Sequence, residues 1–348
     1  MPTTGGSNVR VALGKLRAYA DWIRGRDILM LQGPPLLGAV FAMREVSAER
    51  LGAILLLMVA NLLLVAHIFV LNDWAGGDAD LNDANKRAGA FATRGLSRRG
   101  VRRLWIGLLI ASLGIFGFLG LSTVVLAAVI ALLSALYSRP ESPAKGVPIL
   151  NSALHLGGGV LHVLLGVSLF RGIDGAALAL ALFSGLAFTA GHLNQEVRDF
   201  EGDRDSEIRT NAVVFGKRRT FIAGLAVFTA AYAQLVVLAA SGVLPRWLAI
   251  LGALYPVHLY WSLKTMADGL SFESISRFQV RYRAIYAVIG VAILSMLLAS
   301  ADGPGDRRPS GSQTMEHGAA SPGSTASAGT RAGGVAPGAS ANRDDFGA

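Results

Sequence analysis

Two stretches of this chain gather carboxylates at spacings suited to holding metal ions. The first reads Asn72-Asp73-Trp74-Ala75-Gly76-Gly77-Asp78-Ala79-Asp80-Leu81-Asn82-Asp83, and the second reads Asn194-Gln195-Glu196-Val197-Arg198-Asp199-Phe200-Glu201-Gly202-Asp203-Arg204-Asp205. On a helix, Asp199 and Asp203 are i,i+4 neighbours sharing a face with Gln195. Asp73 and Asp80 share a face at i,i+7, with Asp83 three residues beyond Asp80. Gathered carboxylates repel one another, and a hard divalent cation removes that cost. Magnesium suits a site where a few carboxylates fill part of its octahedron and phosphate oxygens or water complete it. Two such clusters face to face would hold two ions around one diphosphate, with the metals acting as Lewis acids and as a template. Cations stand ready for the same ligand: Lys86 and Arg87 follow the first cluster, Arg198 and Arg204 lie within the second, and Arg139 and Lys145 occupy a loop between them. Guanidinium groups match phosphate oxygens in bidentate fashion. The run Arg98, Arg99, Arg102 and Arg103 reads instead as a membrane-edge anchor.

The elements that must position these groups are hydrophobic. Hydrophobic residues make up 52% of the 348 and charged residues 16%, below the roughly 25% charged of soluble domains. The apolar residues cluster in runs that approach the ~20 needed to cross a bilayer as a helix, the form that satisfies its own backbone polar groups in lipid. The expected fold is all-α, a multi-pass integral membrane protein with nine spans at 28–43, 51–71, 104–120, 122–138, 148–170, 174–193, 220–241, 244–263 and 284–300. Residues 1–24 form a cytoplasmic N-terminal segment, 25–301 the nine-helix domain and 302–348 a disordered Gly/Ala/Ser-rich tail, which has too little apolar area to offset its ordering entropy. No cleavable signal peptide is read at the start.

Loop charge sets the orientation. The chain carries 32 Lys and Arg and a formal net charge of +9. Most of these residues fall on one side of the nine-span alternation, and the opposite side holds Arg44, Arg50, Arg171 and Arg246 before the tail. That asymmetry places the N-terminus inside and the C-terminus outside. It also explains the positive charge through anionic lipid rather than nucleic acid. Without cysteine, neither disulfides nor a thiolate metal site can form. Each acidic cluster directly follows an apolar helix, the second or the sixth, so both lie at the same mouth of the bundle.

These residues resemble the UbiA superfamily of intramembrane prenyltransferases. The likeness is carried by Arg198-Asp199-Phe200-Glu201-Gly202-Asp203-Arg204, by Ile208-Arg209-Thr210, and by Ala212-Val213-Val214-Phe215-Gly216-Lys217. Leu136-Tyr137-Ser138, Pro143-Ala144-Lys145 and the stretch from Asn151 to His155 extend it. The resemblance implies nine helices around a central cavity, with Asp-rich motifs after helices two and six. In the first motif Asn72 and Asp80 fit the family spacing. Gly76 stands at the middle position, which leaves Asp73, Asp78 and Asp83 as alternatives, and Ala88 follows Arg87 where the family has Pro. Gln195 stands where Asn or Asp is usual.

What the resemblance implies is magnesium-dependent transfer of a prenyl group from an isoprenoid diphosphate to an aromatic or lipid acceptor. Asp80, Asp199 and Asp203 are the catalytic set. Metal ligands come from Asn72, Asp73, Asp78, Asp80, Asp199 and Asp203, and Lys86, Arg87, Arg139, Lys145 and Arg198 contact the diphosphate. The expected location is the inner membrane of a bacterium. The same site could instead ionise the donor and cyclise it, as a terpene cyclase does. A transporter would carry charges inside its spans and pair broken helices, whereas these acids lie at one membrane face. Of the histidines at depth, His67, His155, His162, His192 and His258, none is spaced as a metal pair, and His192 immediately precedes the second cluster. Tyr137 is a candidate for orienting an acceptor. Gly157, Gly158 and Gly159 read as close helix packing or as room for an isoprenoid tail.

Overall fold

The computed structural model of the chain describes residues 19, 22–23, 25–82, 87–138 and 144–301. The chain divides after Gly303 into a large unit and a second unit, Pro304–Ala348. The expected tail and nearly all of the N-terminal segment lie outside the described residues.

Among the described residues every regular element is helical. In chain order these are α1 (Gly25–Met30), α2 (Gly33–Ala42), α3 (Ala48–Ala75), α4 (Gly77–Asn82), α5 (Arg98–Leu119), α6 (Leu121–Tyr137), α7 (Leu150–Val167), α8 (Gly175–Arg198), α9 (Phe200–Asp205), α10 (Asn211–Phe215), α11 (Lys217–Ala240), α12 (Tyr255–Ala267) and α13 (Phe272–Ala301). Short 3-10 segments cover Arg87–Gly89, Ala144–Gly146 and Arg246–Leu254.

Six of these helices, α3, α5, α7, α8, α11 and α13, are long and apolar enough to cross a membrane, and α6 and Asp27–Ala42 are shorter apolar segments. Local chemistry starts several of them. The Ser47 hydroxyl accepts from the Arg50 N–H at 3.2 Å, Ser97 from Gly100 at 3.1 Å, and the Asp174 carboxylate from Ala177 at 2.8 Å. Each cap satisfies an N–H that the helix leaves unpaired.

Two expected spans are broken. The first interrupts at Leu31-Gln32, just before Pro34-Pro35, and restarts as α2 with proline in its first turn. The eighth is a 3-10 segment that gives way to α12 at Tyr255, again with proline in the opening turn. Proline has no N–H to donate and clashes with the preceding turn, so it begins a helix and cannot continue one.

Small residues let the helices approach. A Cβ on Gly166 would collide with the Pro35 carbonyl of α2, and one on Gly159 would lie 2.8 Å from the Cα of Gly185 on α8. Gly159 therefore serves close packing of α7 on α8. The outer faces are apolar: Phe118 is 87% and Leu121 78% exposed, as a lipid-facing surface requires and a water-facing one does not.

Candidate functional site

Helices α3 and α8 both end at one cavity of about 360 Å³. Asn72, Asp73 and Asp80 line it from the first cluster, and Gln195, Glu196, Arg198, Asp199 and Asp203 from the second. Segments far apart in sequence thus face each other across a single space. Tyr137, Lys145, His155 and His192 complete much of the wall.

The second cluster is built on nearly continuous helix. The Asp199 N–H bonds to the Gln195 carbonyl and the Asp203 N–H to the Asp199 carbonyl, both at 2.9 Å. The helical spacing therefore survives the junction of α8 and α9, and the two carboxylates share a face. Asp203 is 3% exposed, with Lys145 Nζ 3.7 Å from its Oδ1. Arg198 grips Asp199 with two parallel bonds, Nε to Oδ1 at 2.7 Å and Nη2 to Oδ2 at 3.1 Å. Its Nη1 donates to Gln279 Oε1 on α13 at 2.9 Å. The expected diphosphate contact Arg198 thus lines the cavity while fastening a carboxylate.

The first cluster spans a break. Asn72 and the buried Asp73 close α3, Gly76 ends it, and Asp80 sits on α4, a helix of six residues. Backbone bonds from Gly76 to Asn72 and from Asp80 to Gly76, each 2.9 Å, carry the chain across the glycine pair. Asp78 lies on α4, and its side chain is not among those described. Lys86, Arg139 and Asp83 lie outside the described residues. Arg87 is exposed, donates from Nε to the Leu81 carbonyl at 2.7 Å, and is not among the groups lining the cavity. Arg94, which sequence reasoning passed over, does line it.

Sequence reasoning also missed Glu196, although it stands four residues after His192 on the same helix, a spacing that pairs side chains. Glu196 is 3% exposed and accepts from three sides. Asn211 Nδ2 approaches its two oxygens at 3.2 and 3.0 Å, Asn151 Nδ2 donates to Oε1 at 2.5 Å, and His192 Nε2 lies 3.2 Å from Oε1. Asn151 Nδ2 also bonds the Lys145 carbonyl at 2.9 Å, tying the Lys145 loop to the knot. Asn211 Oδ1 accepts the Ile149 N–H at 2.8 Å. Ile149 has φ 66° and ψ −49°, and the Leu150 N–H reaches the Pro148 carbonyl at 2.7 Å. That is a γ-turn of the strained hand at a β-branched residue, held in place by Asn211.

The remaining histidines do not line the cavity. His67 Nδ1 meets the Trp105 carbonyl at 2.9 Å, His162 Nδ1 the Gly158 carbonyl at 2.8 Å, and His258 Nδ1 the Tyr232 hydroxyl at 3.3 Å.

The donor set fits magnesium. Its carboxylates are hard oxygen ligands divided between two walls. Among the described residues no three acidic or imidazole side chains gather closely enough to cage an ion by themselves. Magnesium takes one or two carboxylates and completes its octahedron with water or phosphate oxygens, which is what each wall offers.

Residues 33–279 match the UbiA prenyltransferase family. The chain is similar to the lycopene elongase/hydratase of Haloferax volcanii, at 30% identity over 78% of this chain and 85% of that one. It is also similar to the digeranylgeranylglyceryl phosphate synthase of Korarchaeum cryptofilum, at 27% identity over 70% and 81%. The fold superimposes on a UbiA homologue from Archaeoglobus fulgidus bound to DMAPP and Mg2+, with TM-score 0.61, 15% identity, and coverage of 80% of this chain and 98% of that one. Its membership is therefore plain: the chain belongs to the UbiA prenyltransferase family and is a multi-pass membrane enzyme that transfers prenyl groups.

Proposed function

We propose that the cavity between the two acidic clusters seats the diphosphate of an isoprenoid donor, and that the prenyl group passes from it to a hydrophobic acceptor, an aromatic ring, a polyene or a lipid hydroxyl. One observation carries this reading: Asp73 and Asp80 face Asp199 and Asp203 across one cavity. The A. fulgidus homologue with DMAPP and Mg2+ supports it on the same fold.

Asp80 with Asn72 and either Asp73 or Asp78 would hold one magnesium ion, and Asp199 with Asp203 the other. Bound there, magnesium neutralises the charge that builds on the leaving diphosphate. Lys145, beside Asp203, reaches the same space, and Lys86, Arg87, Arg139 and Arg198 remain the other cationic candidates. Arg198 holds Asp199 in a fixed orientation through its two parallel bonds. The carbon–oxygen bond of the donor breaks with both electrons leaving on the diphosphate, and the allylic cation is captured before water reaches it. Tyr137 and His155, packed edge to face at 5.1 Å, give this part of the wall its aromatic lining.

We read the chain as crossing the membrane nine times with the N-terminus inside. The second and sixth spans both end at the cavity, as that alternation requires, and the loop charges favour the same side.

The test uses the full-length protein in detergent with radiolabelled prenyl diphosphates of several lengths and three acceptors: lycopene, a glyceryl-phosphate lipid and a phenol. Magnesium-dependent transfer is expected, and Asp199→Ala with Asp203→Ala should lower it by about 10³-fold or more. Diphosphate release with a cyclic hydrocarbon and no adduct would replace transfer by cyclisation. A folded preparation that neither binds nor releases diphosphate would overturn the reading.

A further inference from the structure

Every prenyl transfer to a carbon–hydrogen or oxygen–hydrogen acceptor leaves one proton over, because the prenyl group takes the place of a hydrogen. If the cavity performs such a transfer, as argued above, a base in the cavity receives that proton, either the departing diphosphate or a group at the wall. Most of the lining is already engaged. The four aspartates are assigned to cations. Glu196 accepts from Asn151, Asn211 and His192, and Lys145, Arg94 and Arg198 have no lone pair to offer. Tyr137 is a phenol, a donor at neutral pH.

The imidazoles remain, and their tautomers can be read from their partners. His155 Nδ1 lies 2.8 Å from the Asn151 carbonyl. A carbonyl only accepts, so Nδ1 carries the hydrogen and Nε2 of the neutral ring carries a lone pair. Among the described residues nothing bonds that Nε2. The ring is half-buried, lines the cavity and is held on three sides. His192 stacks on it at 3.5 Å and 9°, Tyr137 meets it edge to face at 5.1 Å, and Phe188 lies 5.6 Å away. His192 is placed differently. It is 7% exposed, and its Nε2 lies 2.7 Å from Asn151 Oδ1. That amide is oriented by its own donation to the Lys145 carbonyl and to Glu196, so the His192 Nε2 is a donor.

We propose that His155 is the proton acceptor of the reaction, with Nε2 taking the hydrogen that the acceptor loses. Electrons of the acceptor's double bond or oxygen form the new bond to the donor's first carbon, whose bond to oxygen has broken with its pair on the diphosphate. The adduct then gives up its proton to Nε2, and the electrons of the broken carbon–hydrogen or oxygen–hydrogen bond stay on the product. Such a cationic adduct is a strong acid, so a neutral imidazole suffices as base. The proton passes to water when product and diphosphate leave.

The experiment compares wild type, His155→Gln and His155→Ala as full-length protein with geranyl diphosphate, magnesium and whichever of the three acceptors the wild type uses. It measures adduct and released diphosphate separately, together with binding of inorganic diphosphate. In His155→Gln the adduct should fall by about 10²-fold or more. Diphosphate release should fall less, since ionisation needs no base, and diphosphate binding should stay within about twofold of wild type, as expected where no binding contact is removed. Added imidazole should restore adduct formation in His155→Ala. Unchanged adduct in His155→Gln would overturn the assignment, and so would diphosphate binding lost in step with transfer, which marks a structural role. Wild-type protein that releases no diphosphate with any acceptor sinks the transfer reading itself, and His155 with it.

Discussion

The two acidic clusters look alike in sequence and are built differently. The second lies on nearly unbroken helix from α8 into α9, with Asp199 gripped by Arg198 and the helix beneath it knotted through Glu196 to α7 and α10. The first is divided by Gly76-Gly77: Asp73 ends a long helix, and Asp80 rides on a six-residue one. The second cluster therefore has its geometry set by protein contacts, while Asp80 depends on how α4 packs. Preorganisation on one wall and adjustability on the other let a site accept a ligand and still hold it for chemistry.

The largest test of that contrast is Glu196→Ala. It leaves the amides of Asn151 and Asn211 without their shared acceptor in a buried place, each lost partner costing about 1–3 kcal/mol. It also loosens the Asn151 link to the Lys145 loop and the Asn211 hold on Ile149. Transfer is expected to fall by about 10²-fold, as for a misplacement of ~1 Å at a reacting centre. Glu196→Gln, the same shape, should rescue only in part: its oxygen can still accept from Asn151 and His192, but its NH2 group would face the Asn211 amide. A melting curve in detergent recorded beside the assay separates misplacement from unfolding. Wild-type transfer in Glu196→Gln would break the comparison.

What could be read from the sequence follows the same division. The six long apolar helices were legible because lipid demands long apolar runs, and the shared face of Asp199 and Asp203 because helical spacing continues through them. The Glu196 knot was not legible, since its partners Asn151 and Asn211 reach it only once α7 and α10 have packed. Nor was the choice of Arg94 over Arg87 at the cavity wall, which depends on the path of the chain after α4. The eighth span read as one helix because its hydropathy is continuous, although Pro256 forces a restart that hydropathy does not register.

A smaller effect is expected at Gly77. A Cβ there would lie 2.7 Å from Phe91 Cε1 and 3.1 Å from Cζ. Phe91 is buried against Trp22, whose indole N–H bonds the Gly89 carbonyl at 3.1 Å, and Gly89 and Ala90 belong to the cavity rim. Gly77→Ala must push Phe91 or α4 aside, an overpacking of about 1–3 kcal/mol. The magnesium concentration for half-maximal transfer should rise roughly tenfold, since ~1.4 kcal/mol is a factor of ten. An unchanged magnesium requirement would mean that α4 does not set the position of Asp80.

The smallest effect belongs to its neighbour. Gly76 has φ −85° and ψ 0°, a conformation open to any L-residue. A Cβ would lie 3.3 Å from the Asn72 carbonyl oxygen and 3.7 Å from Asp80 Oδ2, so the site is tight against backbone on one side only. Against that tightness, alanine at a helix junction regains about 0.5–1 kcal/mol of the backbone entropy that glycine loses. The two terms oppose each other, and Gly76→Ala should keep its magnesium requirement and its transfer rate within about threefold of wild type. Measured beside Gly77→Ala, it sharpens the contrast between the clusters. If Gly76→Ala is the more damaging of the two, then the break itself, rather than the seat of α4 against Phe91, places Asp80 opposite Asp199 and Asp203.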